Sequence, residues 1–274
     1  MNTYLQKCLL GLTAIIGMAH GSAYAAPVAS WTTAQGARVY FIETHALPIV
    51  DVQVLFLAGS AFDPADKPCV ASMTAGLMDQ GAGARNEQQV AETLADIGAT
   101  LSVGAGLDSA TVSLRTLSDP ERRGIAFGLM ADVMARPTFE RAIFKRDQAR
   151  AVAALKEALT KPQVLAQRAY FSAIYPGHPY GRLVTPASME SMSHSDVTTF
   201  WRNHVTPGRA SIAIVGDLTR VEAEALANQL LADLPADQAA VPKRLPAPAA
   251  TAANVVRVDH PASQSHLLMG MPSV

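Results

Sequence analysis

The chain has 274 residues, a formal net charge of −1, 49% hydrophobic residues and 16% charged residues. That length can bury one good core, or form one large domain and part of another. Near-neutral charge gives no support for a nucleic-acid partner, which usually needs a clearly basic face, and none is expected. The Arg122–Arg123 pair and the group Lys145, Arg146 and Arg150 read as solvated helix faces.

Residues 1–25 have a polar start with Lys7, an apolar run from Cys8 to Ala19, and small residues at Ala23-Tyr24-Ala25. This is the tripartite pattern of a secretory signal cut after Ala25, and it predicts an exported, periplasmic protein. The run is shorter than the roughly 20 residues of a membrane span. No later stretch reaches that length, so no membrane span is expected once the signal is removed. An uncleaved anchor is the alternative. Of the two cysteines, Cys8 leaves with the signal and Cys69 stays alone, so no intrachain disulfide is expected. Beside Val70, Ala71 and Met73, Cys69 reads as a small buried hydrophobe.

Two β-like runs follow, 37–44 and 48–60, joined by a short turn at His45-Ala46-Leu47. After the turn FDPADKP, a helix is expected over roughly 69–79, stopped by Gly81 and Gly83. Between Cys69 and Met78 it carries no histidine, carboxylate or lysine. Asn86 is a suitable N-cap for a second helix with Val90, Leu94 and Ile97 at helical spacing, closed by Gly98. Residues 99–117 alternate as a strand pair around a Gly-containing turn. Pro120 opens a helix to about Ala135, a longer one spans about 140–159, and Pro162 opens another to about Ile174. YPGHPYGRLVTP reads as a structured loop. Two short helices follow, the second capped by Ser193 or Ser195. A buried strand over 209–218 and a helix over 219–234 complete the unit.

Residues 235–253 are Ala/Pro-rich and read as a linker. Residues 254–274 begin two more strands, too few to bury a core. Either the chain is a fragment of a longer protein, or those strands add to the domain at 26–234. Strand pairs joined by tight turns predict an α+β fold, a largely antiparallel sheet with helices packed on one side.

The residues offer little conventional chemistry. After the signal, the histidines are His45, His178, His194, His204, His260 and His266, and none forms an i, i+4 pair. His194 and His204 would point about 80° apart on a helix. His178 reads as a loop-packing residue and His45 as an exposed turn residue. There is no G-x-S-x-G and no P-loop. The G-x-G at Gly104 and Gly106 lies in a hairpin, where Asp108 and Ser109 shape the turn.

Taken together, VQVLFLAGSAFDP, the helix after it, AETLADIGATLSVGAGLDSATVSLRTL, YPGHPYGRLV and ASIAIVGDL resemble the N-terminal half of the M16 metallopeptidases. That family includes pitrilysin, insulin-degrading enzyme and mitochondrial processing peptidase. The resemblance runs from about residue 36 to the chain's end, and the ordered set is more specific than any one motif. It implies an M16-like, LuxS-like half followed by the first strands of a similar second unit at 254–274.

In that family the first helix carries H-x-x-E-H, two histidines one turn apart for Zn²⁺ and a glutamate that activates water. Here the window falls on Ser72, Met73, Thr74, Ala75 and Gly76. The distal glutamate position falls near Ala153 or Ala154, with Glu157 about one turn away. The resemblance therefore implies no catalytic residue, no metal ligand and no cofactor in this chain, with zinc only in a partner. It implies a non-catalytic subunit, inactive by itself, that pairs with a zinc-bearing M16 homologue around a peptide-degrading chamber. A peptide-binding or assembly protein, or an active zinc peptidase with displaced ligands, are the alternatives. Which residues contact substrate is not readable.

Overall fold

In a computed structural model, residues 27–237, 247–248, 253–261 and 263–271 are described. The signal at 1–25 and most of the linker at 235–253 lie outside them. A six-stranded sheet has the order β1-β2-β8-β3-β7-β6. Its strands are β1 (Ala29–Thr32), β2 (Arg38–Glu43), β3 (Ile49–Phe56), β6 (Thr100–Ala105), β7 (Ala110–Leu117) and β8 (Ala210–Gly216). The dipeptides β4 (Gly81–Ala82) and β5 (Arg85–Asn86) pair as a small separate hairpin. Among the described residues the α-helices are α1 (Val70–Met78), α2 (Glu87–Ile97), α3 (Pro120–Ala135), α4 (Arg141–Ala158), α5 (Pro162–Ile174), α6 (Pro186–Glu190), α7 (His194–His204) and α8 (Arg220–Leu231).

Period-two patterning decides which face of the sheet is buried. Val50, Val52, Val54 and Phe56 of β3 point to the same side as Ile212 and Ile214 of β8 and Val112 and Leu114 of β7, each at most 2% exposed. On this side α1 packs over β6 and β7, α3 over β7, and α8 over β2. Each such fully buried side chain contributes about 1.5–3 kcal/mol of transfer free energy. Asp51, Gln53, Ser113, Arg115 and Val215 project from the other face. The α+β expectation, a mostly antiparallel sheet with helices on one side, holds.

One connection differs from the sequence reading. The two first-read strands, β2 and β3, are not paired with each other. β8 lies between them, parallel to β2 and antiparallel to β3. The apolar sequence ASIAIVG suits a central strand buried by both neighbours, and the turn at residues 45–47 carries the chain across the gap it fills. Gly216, at φ +140°, ends β8 where a side chain would run into the Ile49 carbonyl. β1 was not anticipated. Its Trp31 ring lies beneath the Arg220 guanidinium, 3.8 Å from the ring centroid.

The helix signals were legible. Asn86 and Gln89 form a reciprocal capping box, and Gly98 closes α2 in the left-handed conformation. Ser193, not Ser195, caps α7. Residues 253–261 and 263–271 contain no helix or strand, where the sequence predicted the start of two. Strands gain stability only by pairing, and this segment runs without a ladder partner among the described residues. Among the described residues no helix is long and apolar enough to cross a membrane.

Candidate functional site

The first helix is built against the sheet from its apolar residues. Val70, Ala71, Met73, Leu77 and Met78 are buried, and the Thr74 hydroxyl donates to the Val197 carbonyl of α7. Ser72 and Gly76, one turn apart, lie together on the exposed face, while Ala75 is 1% exposed. A Cβ built on Gly76 meets nothing within 4 Å. The face is thus open space bordered by a hydroxymethyl group and a bare backbone. We expect Gly76→Ala to raise stability by about 0.5–1 kcal/mol, because the methyl group meets no obstacle and helical glycine is unfavourable. Chemical denaturation would check this, and a loss of stability would show that the face is covered.

A buried carboxylate holds the start of α1. Asp63 is 5% exposed and accepts from the backbone N–H of Cys69 (2.6 Å) and of Ala71 (2.8 Å). It caps the helix from a turn six residues upstream, and Cys69 takes φ +84° to allow this. Burial pushes the Asp63 carboxyl up to about 6, against two N–H donors and Arg182, which favour the charged form. Burial, and then the nearby Asp63 charge, push the Cys69 thiol up as well. Cys69 is therefore a thiol at neutral pH and a poor nucleophile.

The GHPYGR loop ties this cap to the edge of the sheet. His178 is buried, and its Nδ1 accepts from the Tyr180 N–H at the start of the 3₁₀ turn Pro179–Gly181. The Tyr180 hydroxyl donates to Asp108 in the β6–β7 turn. That bond, with lesser contributions from burial and the Asp108 charge, pushes the phenol up to about 12. The Arg182 guanidinium donates to the Asp63 carbonyl at 2.6 Å. Ser60 and Ala61 donate to the carbonyls of Gly106 and Leu107. Asp108 and Ser109 thus shape a turn, as the sequence suggested. The sequence reading gave neither Asp63 nor Arg182 a role, although the FDP turn and the GHPYGR loop that contain them were both noted.

His45, His194 and His204 are engaged separately from one another, whereas Nδ1 of His260 is buried without a hydrogen-bond partner among the described residues. His45, exposed, bonds Asp217 through Nδ1 (2.5 Å) and Glu43 through Nε2 (3.1 Å), and these bonds raise its pKa. Ser118 donates to the other Asp217 oxygen at 2.5 Å. His194 bonds the Phe139 carbonyl (2.5 Å). His204 bonds the Phe200 carbonyl (3.0 Å), and burial lowers its pKa. On α4, Ala153 and Ala154 are exposed, and Glu157 is exposed and paired with Lys161 (3.0 Å). Among the described residues no three His, Cys, Asp or Glu side chains are grouped so as to hold a metal ion. The donor set required for zinc does not fit these residues: α1 presents no imidazole and no carboxylate.

Beside α1, strand β6 forms a free edge of the sheet. Among the described residues only β7 pairs with it, and Ser102 and Gly104 are exposed. Such an edge is a template for an extended peptide.

Comparison with known proteins places this geometry in context. Residues 38–187 match the family described as Insulinase (Peptidase family M16), and residues 191–274 match the Peptidase M16 inactive domain. An uncharacterized zinc protease from Rickettsia felis is 20% identical over 196 residues, covering 70% of this chain and 47% of that protein. Among solved structures, a peptidase M16 inactive domain from Pseudomonas fluorescens is 32% identical with a TM-score of 0.78, over 82% of this chain and 54% of that one. A protease from Helicobacter pylori is 18% identical with a TM-score of 0.69, over 80% and 53%. The periplasmic protease PqqL from Escherichia coli is 17% identical with a TM-score of 0.69, over 82% and 26%. The last two show a shared fold. This chain spans about half the length of the first two of these relatives.

Proposed function

The chain belongs to peptidase family M16, and from that premise we propose that it is a non-catalytic, exported subunit that pairs with a zinc-bearing M16 homologue. One observation carries the reading. The exposed i, i+4 face of α1, where the family places its two histidines, bears Ser72 and Gly76, and Ala75 stands at the glutamate position. No group there binds a metal or moves a proton. In this reading zinc resides only in the partner, and this chain supplies wall, shape and the β6 edge to a peptide chamber. The match of residues 191–274 to a family described as inactive supports it. Export to the periplasm is supported by the pattern of residues 1–25 and by the periplasmic origin stated for PqqL.

The test is to mix the purified protein with a zinc-bearing M16 homologue from the same source. The expected result is a stable complex that cleaves peptides faster than the homologue alone, while this chain alone cleaves nothing and is indifferent to chelators. Absence of a complex, with the homologue's activity unchanged, overturns the reading. Stoichiometric zinc in the isolated chain, with chelator-sensitive hydrolysis, would establish an active peptidase with displaced ligands instead. The free β6 edge favours a second reading, a peptide-binding or assembly protein that retains an unliganded peptide without changing its mass.

A further inference from the structure

Because β8 lies between β2 and β3, the chain that joins those two strands must cross over the end of β8. Backbone bonds stitch this crossover down. The N–H of Thr44 donates to the Gly216 carbonyl (3.0 Å), that of Asp217 to the Ile49 carbonyl (3.0 Å) and that of Ser118 to the Pro48 carbonyl (2.9 Å). Four side chains from three strand ends meet at the same point. Glu43 closes β2, Asp217 follows β8, Ser118 follows β7, and His45 stands on the crossover itself. Leu47, near its tip, is 61% exposed and does not anchor it.

The His45 ring bridges two carboxylates, Asp217 through Nδ1 (2.5 Å) and Glu43 through Nε2 (3.1 Å). An ionised carboxylate only accepts hydrogen bonds, and a neutral imidazole carries a single N–H. Both contacts together therefore require the imidazolium. On deprotonation one ring nitrogen turns a lone pair toward a carboxylate, and that side of the bridge is lost. The Asp217 end stays charged, because a bond from Ser118 and then the one from His45 hold its pKa low. Arg123 of α3 also favours the charged form of Asp217, and is itself paired with Glu222 of α8. His45 is thus the group in this cluster suited to change charge near neutral pH.

We propose that His45 is a proton-operated clasp, which in its charged form locks the crossover onto the end of β8 and on neutralisation lets it open. The sign follows from the raised pKa of His45, caused by the Asp217 bond and then the Glu43 bond. Such a group contributes fully below its unfolded pKa of about 6.5, and the contribution is lost as pH rises through the folded value. With 58% of its side chain exposed, His45 meets bulk solvent directly, and exposed ion pairs are weak. The opening is therefore local to residues 44–49, with the sheet as a whole intact.

The test is NMR on the purified chain, following the His45 ring and the amides of Thr44 and Asp217 between about pH 6 and about pH 9. His45 is expected to titrate above the ordinary histidine value, and Asp217→Asn and Glu43→Gln are each expected to lower it. Protection of the two amides, corrected for the intrinsic pH dependence of exchange, is expected to fall about threefold as the ring loses its proton. In His45→Gln that fall is expected to vanish, while the melting temperature stays at the wild-type value. An unshifted His45 titration overturns the proposal, as does a shifted titration that leaves protection unchanged. A fall that persists in folded His45→Gln overturns it too, because another group would then drive the opening. Should His45→Gln fail to fold, Asp217→Asn takes its place: the fall must then move to lower pH with the titration, and a fall that stays put is decisive against the clasp.

Discussion

Replacing Asp63 with alanine is expected to lower the unfolding free energy by about 3 kcal/mol. The carboxylate accepts from the N–H groups of Cys69 and Ala71, and its loss leaves both donors without an acceptor in a buried setting. An unsatisfied buried donor costs about 1–3 kcal/mol, and a lost helix cap typically about 1. Urea denaturation of the two proteins would measure the difference; a change below about 1 kcal/mol would mean that water replaces the carboxylate. The same group makes stability depend on pH. Burial holds the folded-state pKa at about 6, above the unfolded value near 3.9. A carboxyl with a raised pKa favours the folded state most below the unfolded pKa, and this contribution is lost as pH rises through the folded one. Asp63→Asn should therefore flatten the stability profile between about pH 4 and pH 6, though it weakens the cap by presenting an NH₂ to one donor.

Restoring the ligand set should convert this chain into a zinc-binding protein without making it a peptidase. Ser72→His and Gly76→His place two imidazoles one turn apart on a face where a side chain at residue 76 meets nothing. Ala153→Glu adds a carboxylate from the exposed side of α4, which packs against α1. The triple variant is expected to carry about one zinc per chain through gel filtration, by metal analysis, against none for the parent. Failure to retain zinc in a folded triple variant would show that residues 72, 76 and 153 do not face one point, and would break the correspondence with H-x-x-E-H. Ala75→Glu differs because Ala75 is 1% exposed. A glutamate there buries a carboxylate or displaces its neighbours, so adding it is expected to reduce stability by several kcal/mol. Residue 75 is packed over, whereas residues 72 and 76 are exposed.

These two positions also mark how far the sequence could be read. That residues 72–76 supply no imidazole and no carboxylate can be read from the sequence without coordinates. That Ala75 is sealed in while Gly76 stands in open space was not visible, since both are small. Asp63 looked like an ordinary turn aspartate. Its role depends on the chain folding back so that its carboxylate meets the helix start, which is a distance in space and not a spacing in sequence. Arg182 was missed for the same reason.

The sequence by itself determined the helices and most of the strands, because capping residues, glycine stops and period-two alternation act within a few residues of where they are written. Asn86, Gly98 and Pro120 each sit at the boundary they signal. It also determined that α1 brings no metal donors. Only the tertiary structure decided the order of the strands, with β8 entering between β2 and β3 from more than 150 residues away. It alone revealed the cap that Asp63 makes on α1 and the polar face of the sheet opposite the helices. Those are outcomes of long-range packing, in which a strand or helix settles where its apolar surface finds partners, and local patterning carries no address for that partner.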